Sequence, residues 1–166
     1  MSTLYVDNLQ PNLGSQVEIA DLKPPIGNVI NSHKVVCNSL ITLGTNATWT
    51  DIPLGTFSYT PKQPDSLLHI EVVAHVYGSQ IAGWSTAAVR CLVDGTSVSS
   101  TPSSTHFGLA TNNNSDMGYA IDLSEYTCTS ASAVTIKAQA YTYQGLAYTI
   151  INTYGLGYIR VLEIAQ

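Results

Sequence analysis

Apolar and polar residues alternate with a period of two along much of the chain, the spacing of a strand with one buried face. In "SLLHIEVVAHVYG", Leu68, Ile70, Val72, Ala74 and Val76 share one face, and His69, Glu71, Val73, His75 and Tyr77 share the other. "STAAVRCLVDGTSV" sets Ala87, Val89, Cys91 and Val93 against Ala88, Arg90 and Leu92, and its Asp94-Gly95 pair signals a two-residue hairpin. "AVTIKAQAYTYQG" opposes Val134, Ile136, Ala138 and Ala140 to Thr135, Lys137, Gln139 and Tyr141. Further strands are predicted from Val35 to Leu43, Gly55 to Tyr59 and Met117 to Leu123, and in the closing "LGYIRVLEI". Helix signals are nearly absent: glutamate occurs only at Glu18, Glu71, Glu125 and Glu163, and no window sustains a helical apolar spacing. Roughly seven to nine short strands separated by turn clusters predict an all-β fold, an antiparallel β-sandwich with jelly-roll-like topology.

The first 30 residues follow another rule. Pro11, Pro24 and Pro25 with Gly14 and Gly27 punctuate them, so residues 1–30 read as an extended arm ahead of a sandwich over 31–166. The arm carries Leu4, Tyr5, Val6, Leu9, Leu13, Val17, Ile19 and Leu22, too scattered to bury one another and suited to lying on a partner. Several sandwich strands are apolar on both faces: Val73 and Tyr77 oppose the core side of one, and Leu162 and Ile164 oppose Ile159 and Val161 in the last. A monomeric sandwich keeps its outer faces polar, so these second faces predict a symmetric oligomer.

Composition narrows the partners. Only 10% of residues are charged, against roughly 25% in an average soluble domain, and a surface so poor in charge tolerates broad protein contact. Six Lys and Arg, scattered within a net charge of −5, provide no basic stripe, so no nucleic-acid partner is expected. No basic leader or apolar h-region follows Met1, and the longest apolar stretches fall far short of the roughly 20 residues that span a bilayer. The expectation is a soluble chain made in the cytoplasm with no membrane partner. Cys37, Cys91 and Cys128 are odd in number and widely spaced, which predicts reduced, buried thiols.

Candidate chemistry is thin. His69, Glu71 and His75 share a strand face, but His75 lies about 20 Å from His69 at ~3.3 Å per residue, and no H-x-H pattern occurs. There is no G-x-S-x-G elbow, no Cys-His signature and no phosphate-cradling loop before a helix. The acidic pairs Asp7/Asp21 and Asp116/Asp122 sit among ordinary turn formers. No enzyme, metal or cofactor is expected. Ten Tyr and two Trp against two Phe suit interfaces or sugar-binding surfaces, with Tyr141, Tyr143, Tyr148, Tyr154 and Tyr158 clustered late. Trp49 and Trp84 read as core plugs following loops, and the "NAT" and "NNS" tripeptides as turns.

The opening "LYVDNLQPNLGSQVEIADLKP" resembles a segment of tail-fibre and head-decoration proteins of tailed bacteriophages, notably those infecting cyanobacteria and other aquatic bacteria, where it precedes a small β-sandwich. "WTDIP", "TPKQPDSLLHIEV", "VRCLVDGT" and "YIRVLEI" are similar to the same family, so the resemblance covers nearly the whole chain. It implies a homotrimeric, jelly-roll-like virion protein without enzymatic activity. Val73, Tyr77, Tyr141, Tyr158, Leu162 and Ile164 are then the candidates for the trimer interface. With Met1 just before the motif and one sandwich after it, the expected role is a capsid decoration (cement) protein on the outer capsid surface, bound to the major capsid protein through the arm. The alternative is a tail-fibre tip that grips a host cell-surface glycan. Three arms on one trimer bind multivalently. Deleting residues 1–25 should therefore leave a folded sandwich that no longer co-sediments with capsids, and a truncated protein that still decorates them would refute the attachment role.

Overall fold

The computed structural model describes residues 24–43, 48–78, 83–99, 107–111, 116–143, 148–151 and 157–166. Among them are eleven strands: β1 (Val29–Val36), β2 (Leu40–Leu43), β3 (Thr50–Tyr59), β4 (Leu67–Gly78), β5 (Gly83–Val93), β6 (Thr96–Ser97), β7 (Phe107–Thr111), β8 (Asp116–Thr127), β9 (Val134–Tyr143), β10 (Tyr148–Ile151) and β11 (Tyr158–Ile164). They form two antiparallel sheets. In the first, β4 pairs with β8 along its whole length on one edge; its other edge takes β11 and then β10, which in turn pair with β1 and β2. In the second, β9 lies between β3 and β5, and the far edge of β5 takes β6 and β7.

The pairing fixes the topology. β6 and β7 both pair with β5, β10 and β11 both pair with β4, and β1 and β2 pair with β11 and β10 respectively, so each couple acts as one interrupted strand and eight long strands remain. The first then pairs with the eighth, the second with the seventh, the third with the sixth and the fourth with the fifth. That is one long hairpin wound into two sheets, a jelly roll. The predicted Asp94-Gly95 turn joins β5 to β6 with both residues at positive φ, 48° and 79°, the mirror-image turn that matches strand twist. β1 begins at Val29, inside the segment read as arm, and Gly27 and Asn28 already exchange backbone hydrogen bonds with Ala165 at 2.8 and 2.9 Å.

Alternation decides what is buried. Leu68, Ile70, Val72 and Ala74 of β4 meet Ile159 and Val161 of β11, and across the sandwich Val89, Cys91 and Val93 of β5 with Ile136, Ala138 and Ala140 of β9. The Leu, Ile and Val side chains among them stabilise the fold by about 1.5–3 kcal/mol each when fully buried. Two carboxylates share this interior. Asp122 of β8 accepts hydrogen bonds from Cys91 N–H (3.0 Å), Ser99 Oγ (2.8 Å) and Ser124 Oγ (2.7 Å), tying an edge of the first sheet to the second.

Glu163 of β11 is fully buried. It accepts from Tyr59 Oη (2.8 Å), Ser66 Oγ (2.8 Å), and the backbone N–H groups of Lys62 (2.8 Å) and Gln63 (3.3 Å). Asn31 Nδ2 donates to the same Tyr59 oxygen at 3.0 Å. Burial and then the Glu163 carboxylate push the Tyr59 phenol well above its ordinary pKa. Four donors and no acceptor converge on this carboxylate, so an amide in its place turns an N–H toward another donor. Glu163→Gln should lower unfolding free energy by about 3 kcal/mol and Tyr59→Phe by about 1 kcal/mol, measured by urea denaturation; an unchanged midpoint in Glu163→Gln would refute the clamp.

Candidate functional site

The residues carrying potential chemistry are held apart. His69 Nδ1 lies 3.3 Å from Glu125, while Glu71 takes Arg160 at 2.8 Å. His75 is buried and its ring lies 5.2 Å from that of Tyr119. Among the described residues no three His, Cys, Asp or Glu side chains are placed to hold a metal ion. Asp7 and Asp21 lie outside the described residues, and Asp122 is committed to the buried cluster above. The three cysteines are free and buried. Burial pushes the Cys37 thiol up to about 11; burial and then the Asp122 charge push Cys91 up to about 12; Cys128 is raised chiefly by burial.

What the fold does assemble is a surface. The register of the first sheet places β1, β11, β4 and β8 residues in cross-strand rows on its outer face. One row is Val36, Tyr158, Val73 and Ile121; the next is Lys34, Arg160, Glu71 and Leu123; the third is Ser32, Leu162, His69 and Glu125. Leu123 is 64% exposed, Val36 45% and Tyr119 39%, while Leu162 and Ile164 are half-buried. A groove of about 710 Å³ runs between Leu123, Leu162, Ile164 and the charged groups. Charge is ordered across it: Lys34 and Arg160 stand on the β1/β11 side, Glu71 and Glu125 on the β4/β8 side. Lys34 Nζ sits 4.3 Å from the Tyr158 ring centroid, and Tyr158 Oη donates to Glu71 at 3.2 Å. Burial first, then Glu71, raises the Tyr158 phenol.

Of the predicted interface residues, Val73, Tyr158, Leu162 and Ile164 share this face. Val73 is already 8% exposed within one chain, and Tyr77 is placed by its backbone in β4 opposite Met117. Tyr141 belongs to the other sheet. The arm residues Leu4, Tyr5, Val6, Leu9, Leu13, Val17, Ile19 and Leu22 lie outside the described residues.

On the outer face of the second sheet, Asp51, Gln139 and Arg90 form one row across β3, β9 and β5. Arg90 Nε and Nη2 both donate to Gln139 Oε1 (2.9 and 2.7 Å), Gln139 Nε2 donates to Asp51 Oδ1 (2.7 Å), and Lys137 Nζ to Asp51 Oδ2 (2.8 Å). Hydrogen bonds from Lys137 and then Gln139 hold the Asp51 carboxyl below its ordinary pKa. Beside this row Trp49 is no core plug. It lies half-buried on the surface, 4.3 Å from the Arg90 guanidinium and 5.2 Å from the Tyr141 ring. A cation and a second ring hold it there, an arrangement invisible in the polar "GTNATWTD" that leads into β3.

No family model matches the chain, and no curated protein sequence matches it. Among solved structures, the Eiger TNF from S. frugiperda is similar at a TM-score of 0.45 and 8% identity, over 84% of this chain and 95% of that one. The T13 viral particle of infectious bursal disease virus is similar at 0.41 and 13% identity, over 92% of this chain. The Gx strain of that virus gives 0.41 and 12%, over 98%. The chain spans about 40% of the length of the viral chains it matches. At these TM-scores the likeness carries no argument about what this chain does.

The buried, protonated thiols carry a direct consequence. Cys37, Cys91 and Cys128 should resist iodoacetamide at pH 7.5 in the native protein and all react in urea, counted by intact-mass spectrometry; fast native labelling would contradict their burial.

Proposed function

We propose that the protein is a non-enzymatic structural component of a virus particle, a homotrimeric decoration protein on the outer capsid surface. The single observation that carries this reading is the outer face of the first sheet. Both sheets already use their inner faces for one core, yet this outer face presents Leu123, Leu162 and Ile164 around a groove, with Val36 and Tyr119 exposed elsewhere on it. An apolar sheet face on a soluble protein is normally covered by a partner. The charge order suits a second copy of this chain: the basic β1/β11 side of one copy meets the acidic β4/β8 side of the next, the heterologous contact that closes a ring. Residues 1–26, by their sequence pattern, supply the arm that engages the major capsid protein.

The role is tested by the copy number of the chain per purified virion, quantified against the major capsid protein. A ratio near that of a lattice component supports decoration, and a count matching a few tail appendages refutes it. For self-association, the wild-type chain should run as a trimer in native mass spectrometry at tens of micromolar. Leu123→Asp, at an exposed position, should shift it to monomer by placing a charge in an apolar contact, and a monomeric wild type would refute the interface.

A further inference from the structure

We infer that the outer face of the second sheet is a saccharide-binding platform, built by Trp49 and Tyr141 beside the row Asp51, Gln139 and Arg90 with Lys137. The inference goes beyond the structural role above and rests on the opposite face of the sandwich. A pyranose presents an apolar C–H face and a rim of hydroxyl groups. It is recognised by an aromatic surface for the first and a few fixed, planar donors and acceptors for the second. Both occur here. Trp49 and Tyr141, tilted 33° to one another, are each half-buried, so ring surface reaches solvent. At ~4.8 Å between strands and ~3.4 Å per residue, the two rows cover about 10 Å by 7 Å, an area matching one or two sugar rings.

The polar row retains capacity. Each Asp51 oxygen accepts one bond, Lys137 uses one of its three donors, and Arg90 directs Nε and Nη2 to a single oxygen. Lone pairs on Asp51 and N–H groups on Lys137 and Arg90 remain for vicinal hydroxyls. The Asp51 and Lys137 side chains are 51% and 33% exposed. Their mutual bonds lock the rotamers before any ligand arrives, which lowers the ordering cost of binding.

Backbone strain lies beside the same groups. Between Asp51 and Thr56 the register with β9 slips, forming a bulge in β3. Leu54, at its crest, takes a φ of 61° and is 59% exposed, an unusual conformation for a bulky residue. A Cβ on Gly55 would meet the Ile52 carbonyl oxygen at 2.8 Å, so the bulge requires glycine there. Bulges of this kind re-aim side chains next to binding sites, and strain of this kind concentrates there.

The test uses the full chain on a printed array of neutral hexose, hexosamine, and sialic- or uronic-acid glycans. Titration of the strongest responder in solution, read by tryptophan fluorescence and calorimetry, follows. The wild type should bind at least one printed class. Trp49→Ala and the solvent-exposed Asp51→Asn, each checked for an unchanged circular dichroism spectrum, should weaken that binding at least about tenfold, while Leu123→Asp on the opposite face leaves the solution affinity per chain unchanged. No binding to any printed saccharide overturns the inference, as does binding that Asp51→Asn and Trp49→Ala leave intact. Because Leu123→Asp probes self-association separately, failure of the platform and failure of the oligomer are distinguishable.

Discussion

The pairing of the first and last described strands is the constraint on which the rest of the molecule depends. β11 lies between β1 and β4, so among the described strands it is an interior member of the first sheet, and β1 joins that sheet through its pairing with β11. Glu163 fastens this arrangement from inside. One carboxylate on β11 gathers Tyr59 at the end of β3 and the β3–β4 connection, and Asn31 of β1 joins through the Tyr59 hydroxyl. A buried charge of this kind is tolerated because its oxygens are satisfied by four donors that one stretch of chain, residues 59–66, brings to it. The outer-face rows exist in register only because this closure sets how β11 lies against β4.

The two outer faces then differ in kind. On the first sheet, apolar side chains are interleaved with charges ordered by sign. On the second, the polar groups bond one another and leave the aromatic pair at the surface. Both faces rest on the same core, so a change on one reaches the other only through the inter-sheet layer of Val72, Ile136 and their neighbours. The sandwich can accordingly present separate surfaces to separate partners without a second domain.

Much of the fold was legible because strand alternation is a short-range signal. The β4, β5 and β9 patterns, and the mirror-image turn at Asp94-Gly95, follow from residue order alone. β7 and β10 were hidden, since "FGLAT" and "YTII" are short, stand among turn-forming residues in the sequence and take their strand form by pairing with β5 and with β4 and β2. The β3 bulge was hidden for a related reason: Pro53-Leu54-Gly55 reads as the end of a loop until β9 lies beside it. The buried acids were visible in principle. Glu163 has the strand parity of Ile159 and Val161, and Asp122 that of Ala120 and Ser124, so each acid falls on an inward position. A carboxylate on the apolar parity of a strand signals an interior hub, though its donors come from sequence-distant segments. Tyr141 was grouped with Tyr158 by chain proximity and aromatic character, but the jelly-roll winding sends β9 and β11 to opposite sheets.

The interior place of β11 also bears on how the protein is made. Synthesis proceeds from the amino end at roughly 5–20 residues per second, and the strand that joins β1 to β4 leaves the ribosome after the ten other described strands. Until then one edge of β4 carries unpaired backbone groups, the kind of edge that recruits other chains. Loss of β11 removes a central plank instead of fraying a margin, so any break in the chain ahead of Tyr158 leaves both β1 and β4 without their shared neighbour.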